Sequence, residues 1–336
     1  MRMDRVKIGL ICAGMAAVLA VISLNIGGIS DYVNAVKNQG SSIAAITAPA
    51  FSEQEQTDLL RQIEQEAENK RVAPINARID RVWKAIPGYN GVEVDIKATY
   101  EKTIASGALS PIQFVYKEVN PQVSLRDLGK FPIYRGNPEK KMISIMVNVA
   151  WGNEYIPSIL NTLEKENVKA TFFLDGSWLK KYPEVAKQIQ DKGHEMSNHA
   201  YSHPNMSELD RQSAYTQIAK TEQLLKSTLN VQNKWFAPPS GDYNQQTVQV
   251  ASEQGLMTVL WTIDTIDWKK PAPDTIIRRI SAKLEPGALI LMHPTASSSQ
   301  ALPGMISEAK RQGYAIGTVD ELLSPNRVPS VVEPEN

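Results

Sequence analysis

The 336-residue sequence predicts an α/β protein: a barrel-like parallel domain behind a small α+β module and an apolar N-terminal anchor. Three observations carry this. From residue 142 to residue 323, short apolar runs alternate with amphipathic stretches, strand then helix, the rhythm of a parallel sheet with helices outside. Residues with chemical character fall just after five different strand candidates, at 148–154, 198–203, 237–244, 264–268 and 293. An open doubly wound sheet concentrates its site at one switch point, whereas a barrel gathers chemistry from many strand ends. Finally, the chain starts with a basic head and an uncharged apolar run.

That first stretch, residues 1–28, reads as a signal-anchor. "MRMDRVK" carries Arg2, Arg5 and Lys7, and Ile8 to Leu24 is near the lower limit of ~17–25 residues needed to cross a bilayer. No small-x-small cleavage site follows, so the expectation is an uncleaved single-pass anchor in the cell membrane, with everything after about residue 28 outside. Cys12 lies within the run, and "GLIC" has Ile11 where a lipoprotein signal wants a small residue. The exported part then has no cysteine and must be held by its core alone. Lys plus Arg and Asp plus Glu both total 36, which leaves no basic footprint for nucleic acid.

Residues 29–52, rich in Ser, Ala, Gly and Asn, read as a tether. "SEQEQTDLLRQIEQEAENKR" (52–71) is helix-forming, with Leu59, Leu60, Ile63 and Ala67 in one narrow stripe. "GVEVDI" (91–96) and "IQFVYKEV" (112–119) alternate as strands, with helical "ATYEKTIAS" between them. This is the small α+β module, 53–135; it holds no catalytic constellation, its role reads as spacer or interaction, and the sequence names no protein partner for it. The turn-rich "RGNPEKK" (135–141) forms a junction. Beyond it, strands are expected at 142–149, 169–174, 194–197, 234–237, 256–262, 287–292 and 314–318. Helices are expected at 154–166, 177–192, 208–229, 244–255, 273–284 and 301–312, with a tail from 324 to 336.

The chain has four histidines, His194, His199, His203 and His293, all at or beside strand ends. In "NHAYSHP" (198–204), His199 and His203 stand four apart, the spacing that sets two imidazoles on one face of a helical turn.

"NHAYSHP", "WTIDTIDW" (261–268) and "LILMHP" (289–294), in that order behind "KATFFLDG" and "GHEMSNH", resemble the polysaccharide deacetylases, the carbohydrate esterases with a NodB homology domain. The resemblance covers about 140–323. Within the family the chain looks like the sporulation-associated deacetylase-like proteins of endospore-forming bacteria, which share an N-terminal anchor and a preceding module. It implies a distorted (β/α) barrel that removes acetyl groups from N-acetylated glycans, using a divalent metal, usually zinc. It maps His199 and His203 onto the metal's histidine ligands, His293 onto the general acid, and Asp264 onto the carboxylate paired with that acid. The roles are physically sound: the metal stabilises a developing oxyanion, and a neighbouring carboxylate favours a protonated imidazole.

The pattern is incomplete. The family's first motif, Thr-Phe-Asp-Asp-Gly, supplies the general base and the third ligand; here "NVAWG" (148–152) puts Ala150 and Trp151 in those places. Neither takes a proton from water or gives zinc a lone pair. In "FAPPSGDYN" (236–244), Ala237 replaces the arginine that orients the base. The losses form one unit, since an arginine without its carboxylate would be an uncompensated charge. Two carboxylates near the same rim, Glu154 and Asp175, are candidates to stand in, although Glu154 also suits a first helical turn and Asp175 a turn. Any zinc is expected to bind weakly. Among the aromatics, Trp151, Tyr201, Tyr243 and Trp268, with Pro238, are candidate glycan contacts, while Trp261 and Trp178 read as core. Two classes of function stay open. One is an exported deacetylase of peptidoglycan-type cell-wall glycan, hydrolysing a non-peptide C–N bond, weakened in its base and metal site and acting in cell-wall or spore-envelope biology. The other is an inactive glycan-binding or scaffolding pseudoenzyme on the same fold.

Overall fold

The computed structural model of the chain describes residues 51–328. The expected anchor, most of the tether and the end of the tail lie outside these residues. Among the described residues, no helix is long and apolar enough to cross a membrane.

The first helix, α1 (Glu53–Asn69), starts on a capping box: the Ser52 hydroxyl accepts from Glu55 N–H and the Glu55 carboxylate accepts from Ser52 N–H. Leu59 and Ile63 of the expected stripe are buried, whereas Leu60, one step round the helix, is exposed. A hairpin follows, β1 (Arg78–Asp80) with β2 (Lys84–Ile86), antiparallel. No Gly or Pro marks this turn in the sequence; the Asp80 carboxylate makes it by accepting from Val82 and Trp83 N–H at 2.7 and 2.8 Å. Then come β3 (Gly91–Val94), α2 (Ile96–Ala105, capped by Asp95) and β4 (Tyr116–Val119), with β3 and β4 antiparallel.

The larger sheet begins at β5 (Met142–Val149), eight residues all buried. Both of its faces are covered, so an apolar run rather than strict alternation is what the position selects. Next are α3 (Ile156–Lys165), β6 (Thr171–Leu174), α4 (Gly176–Lys181) and α5 (Pro183–Asp191). Pro183 divides what the periodicity presents as a single helix over 177–192. Then follow β7 (Glu195–Asn198), α6 (Arg211–Leu229), β8 (Trp235–Phe236), α7 (Gln245–Glu253), β9 (Met257–Thr258) and β10 (Ile263–Asp264). The chain ends through α8 (Pro273–Ser281), β11 (Leu289–Met292), α9 (Ala296–Arg311), β12 (Ala315–Gly317) and α10 (Val319–Leu323). Helix α9 starts five residues before the expected 301, on a Thr295 cap, and runs through Pro303.

All pairings in this sheet are parallel, in the order β10–β11–β5–β6–β7–β8–β9, with β12 on the first residues of β5. The result is a curled half-barrel of the (β/α) type. Its two ends, β9 and β10, are consecutive in sequence and do not pair. The last residues of the module are laid along that seam: Ile133 N–H donates to Thr258 O at 2.9 Å, Leu260 N–H to Ile133 O at 2.8 Å, and the Thr262 hydroxyl to Tyr134 O at 2.7 Å. The junction is therefore partly interior. Arg135 is 7% exposed, ion-paired to Glu285 at 3.1 Å and hydrogen-bonded to Pro286 O. Side chains of β5 alternate. Ile145, Val147 and Val149 meet α3, α5 and α9, while Met146 enters an inner cluster with Phe173, Trp235, Ala237 and Leu289. The strand ends that this curl gathers are the expected five.

Candidate active site

The parity of β5 sends Asn148 inward, on the side of Met146. Ala150, Trp151 and Gly152 follow. Gly152 has φ +83°, and a Cβ there would stand 2.0 Å from Pro294 O. Only glycine lets this loop pass so near the one after β11. That approach brings the Trp151 indole over the His293 imidazole, with ring centroids 5.9 Å apart and planes within 11°. Trp151 is nevertheless 47% exposed.

His293 is held by a carboxylate, but by Asp267 rather than Asp264. Asp267, wholly buried in the turn after β10, accepts from the His293 Nδ1–H at 2.8 Å and from the His293 backbone N–H at 2.6 Å. Asp264 ends the strand itself, too early to reach round; one of its oxygens accepts from Ile266 N–H at 2.7 Å and shapes the turn that delivers Asp267. Because Nδ1 donates to Asp267, Nε2 of His293 is the ring nitrogen left for a substrate.

His199 and His203 do meet, with centroids 5.2 Å apart, but no helical turn places them. They lie on an irregular loop after β7 in which Ala200 and His203 have φ +59° and +55°, and those left-handed residues turn the chain back. His199 is buried and its Nδ1–H donates to Ala237 O at 2.8 Å, which leaves a lone pair on Nε2. Burial first, and then the nearby His203, push its pKa down to about 3, so the ring is neutral and metal-competent. His203 is exposed.

The third ligand is missing. Neither proposed substitute supplies it, and among the described residues no three His, Cys, Asp or Glu side chains are placed to share a metal. Asp175 is spent as the cap of α4: one oxygen accepts from the Ser177 hydroxyl and Trp178 N–H, and the other is buried without a partner. Burial raises its pKa, which favours the neutral acid over the carboxylate a cation needs. Glu154 is exposed and lines a neighbouring cleft of about 500 Å³ with Tyr155 and Lys270, away from the histidines. The donor set of two imidazoles thus does not fit the divalent ion the family uses.

The main cleft, the one these strand ends share, is about 430 Å³, smaller than its neighbour but lined by His203 and His293. Trp151 and Trp268, the latter 53% exposed, wall it together with Trp261, and His203, Asp264 and His293 supply its polar edge. Trp261 packs partly buried against the inner cluster, as the core reading expects, and also lines this cleft. Its ring abuts Gly241, where a Cβ would come within 2.6 Å of it. Trp178 is core as expected, 3% exposed. Tyr201, Pro238 and Tyr243 stand outside the lining. Tyr201 packs between α4 and the Lys220 ammonium, Pro238 is buried, and Tyr243 shares a 2.6 Å hydroxyl contact with Tyr134. Asp267, Asn148, Ser240 and Trp261 are site residues that motif reading passes over. The only sequence signal for Asp267 is that "DTID" offers two carboxylates.

The polysaccharide deacetylase family profile matches residues 135–259. The uncharacterised Bacillus subtilis protein YlxY is 43% identical over 298 residues, which cover 89% of this chain and 91% of that one. The chain belongs to the polysaccharide deacetylase family. Among solved structures of this family, a wild-type CE4-family pseudoenzyme from Bacillus anthracis superposes with a TM-score of 0.74 at 46% identity, over 80% of this chain and 96% of that one. A mutant of that pseudoenzyme, described as having restored enzymatic activity, superposes equally well at 45% identity, over 80% of this chain and 99% of that one. The peptidoglycan-N-acetylglucosamine deacetylase of Bacillus cereus is 36% identical over 179 residues, 52% of this chain and 65% of its own. In this scaffold His293 is paired with Asp267, and Ala150 and Trp151 follow the strand β5 at the cleft.

Proposed function

We propose that the protein is an exported, membrane-anchored binder of peptidoglycan-type glycan in the cell wall or spore envelope, with deacetylation very slow or absent. One observation carries the reading: the side chain after Ala150 is an indole stacked on His293, where the family has a metal-binding carboxylate. Without a positioned proton acceptor, water attack forfeits general-base assistance worth about 10²–10⁴ in rate. The exposed Trp151 and Trp268 remain fitted to the apolar faces of sugar rings. The pseudoenzyme from Bacillus anthracis and the peptidoglycan deacetylase from Bacillus cereus support the two halves of the proposal. Export and anchoring rest on the basic head and the apolar run from Ile8 to Leu24. A weakly active deacetylase is the second reading, favoured by the assembled His293–Asp267 pair.

Acetate release from acetylated chito-oligosaccharides and peptidoglycan fragments, with added zinc or cobalt, tests it alongside glycan binding. The expectation is binding without turnover in the wild type, and turnover gained in the triple variant Ala150→Asp, Trp151→Asp, Ala237→Arg. Robust wild-type turnover abolished by His293→Ala would establish the second reading instead.

A further inference from the structure

Resting on the glycan-binding reading, we propose that the main cleft selects amino sugars in their de-N-acetylated, ammonium form, so that the protein reads the product of its family's reaction. The lining holds three indoles, Trp151, Trp261 and Trp268, one carboxylate, Asp264, and two imidazoles, His203 and His293, with no Lys or Arg among them. Indole faces attract a desolvated ammonium through their quadrupole, most strongly when several faces converge. The same contact exists at the rim, where the Lys269 ammonium lies 4.8 Å from the Trp268 ring centroid. Asp264 forms no ion pair among the described residues, and one of its oxygens is engaged only by Ile266 N–H. Asn148 adds an independent sign. It is 3% exposed, lines the cleft, and its side-chain oxygen has no hydrogen-bond partner. A buried acceptor left unpaired is costly, and a donor reaching it from the cleft would relieve that cost.

An ammonium brings three N–H donors and a positive charge, against one N–H and no charge for an acetamide. Asn148 and Asp264 both line the cleft that the indoles wall, so an ammonium seated there has an acceptor and a carboxylate to address.

The test is isothermal titration of the full-length protein, near neutral pH and at two salt concentrations, with the N-acetylglucosamine hexamer and its fully de-N-acetylated counterpart. The expected result is binding of the amine form tighter by about tenfold or more, as cation–π and carboxylate contacts in a partly closed site imply. In Asp264→Asn and in Asn148→Ala, the ratio of the two affinities should fall toward one. Equal affinities, or a preference for the acetylated hexamer, would overturn the selectivity while leaving glycan binding intact. A preference unchanged in both variants would also overturn it, since the amine would then be seated elsewhere. Binding of neither hexamer would overturn the glycan-binding reading itself, and this inference with it.

Discussion

Replacing Asp267 by asparagine should damage the protein far more than the same change at Asp264. Both oxygens of Asp267 accept from donors that have no alternative, the backbone N–H of His293 at 2.6 Å and its Nδ1–H at 2.8 Å, and the group is wholly buried. Asparagine is the same size but has one acceptor. One charge-assisted hydrogen bond is lost, worth about 1.5–3 kcal/mol, and a donor then faces a donor unless the imidazole moves its proton to Nε2. A net loss of about 2–4 kcal/mol is expected, together with a change of His293 tautomer. Asp264 is only partly buried, and its one recorded acceptor role, toward Ile266 N–H at 2.7 Å, is one an amide oxygen fills equally well. Asp264→Asn should stay within about 0.5 kcal/mol of wild type. Urea unfolding of the full-length protein gives the stabilities, and imidazole nitrogen NMR gives the tautomer. Equal losses in the two variants, or an Asp267→Asn protein as stable as wild type with its tautomer unchanged, would refute the pairing.

Ala237 is fully buried, so Ala237→Arg alone should cost about 3–5 kcal/mol by denaturant unfolding, and adding Ala150→Asp should recover at least about 1 kcal/mol of that; a free arginine without cost would mean its side chain reaches water. His194 is buried, accepts from Ala170 N–H, and burial lowers its pKa from 6.5 to about 4. The unfolded chain then gains a proton below about pH 6.5 that the folded chain refuses until about pH 4, so this group's contribution falls as pH falls across that window. Glu195, raised to about 7 by burial, acts with the opposite sign, losing stability as pH rises from 4.5 through 7, so the diagnostic is the wild-type-minus-His194→Phe difference in melting temperature. That difference should shrink from pH 7 to pH 4.5, and a pH-independent difference would exclude the linkage. Calorimetric zinc titration should show weak binding that His203→Ala removes, because losing ligand support costs about 10–100-fold or more in affinity; tight stoichiometric binding would reveal a third ligand.

Much of the fold was legible because it depends on local patterns. The all-apolar run at 142–149 is a central strand buried on both faces, and the helix-forming stretch 52–71 is a helix from Glu53 to Asn69. What escaped depends on geometry that no residue type announces. The left-handed Ala200 and His203 turn the histidine loop, the Asp80 side chain makes a hairpin without Gly or Pro, and Ile133 enters the barrel seam from outside the matched family region's core. Site residues divided in the same way. The motif histidines were readable from the family pattern, although the helical turn suggested by the His199/His203 spacing is an irregular loop, whereas the choice between Asp264 and Asp267 turned on where β10 ends, a matter of three residues that element boundaries from sequence do not resolve.

The division between what the cleft has lost and what it has kept follows from how each part is tied to the fold. On the proposed reading, Ala150, Trp151 and Ala237 stand where the family has its base, third ligand and arginine. The backbone around these positions is held by contacts that need no particular side chain, such as Ala237 O accepting from His199 and Ala237 N–H donating to Asn198 O. Removing a mutually compensating Asp–Arg pair leaves no orphaned charge, so the group can go together at little cost to stability. Asp267 differs. It accepts from the backbone of His293 as well as from its ring, and so joins the turn after β10 to the end of β11 whether or not a proton is ever transferred. An acid pair preserved by folding alone is what a binding protein on this scaffold would retain. Its presence is therefore weak evidence for catalysis, and the stability of Asp267→Asn, rather than its activity, is the measurement that separates the two reasons for keeping it.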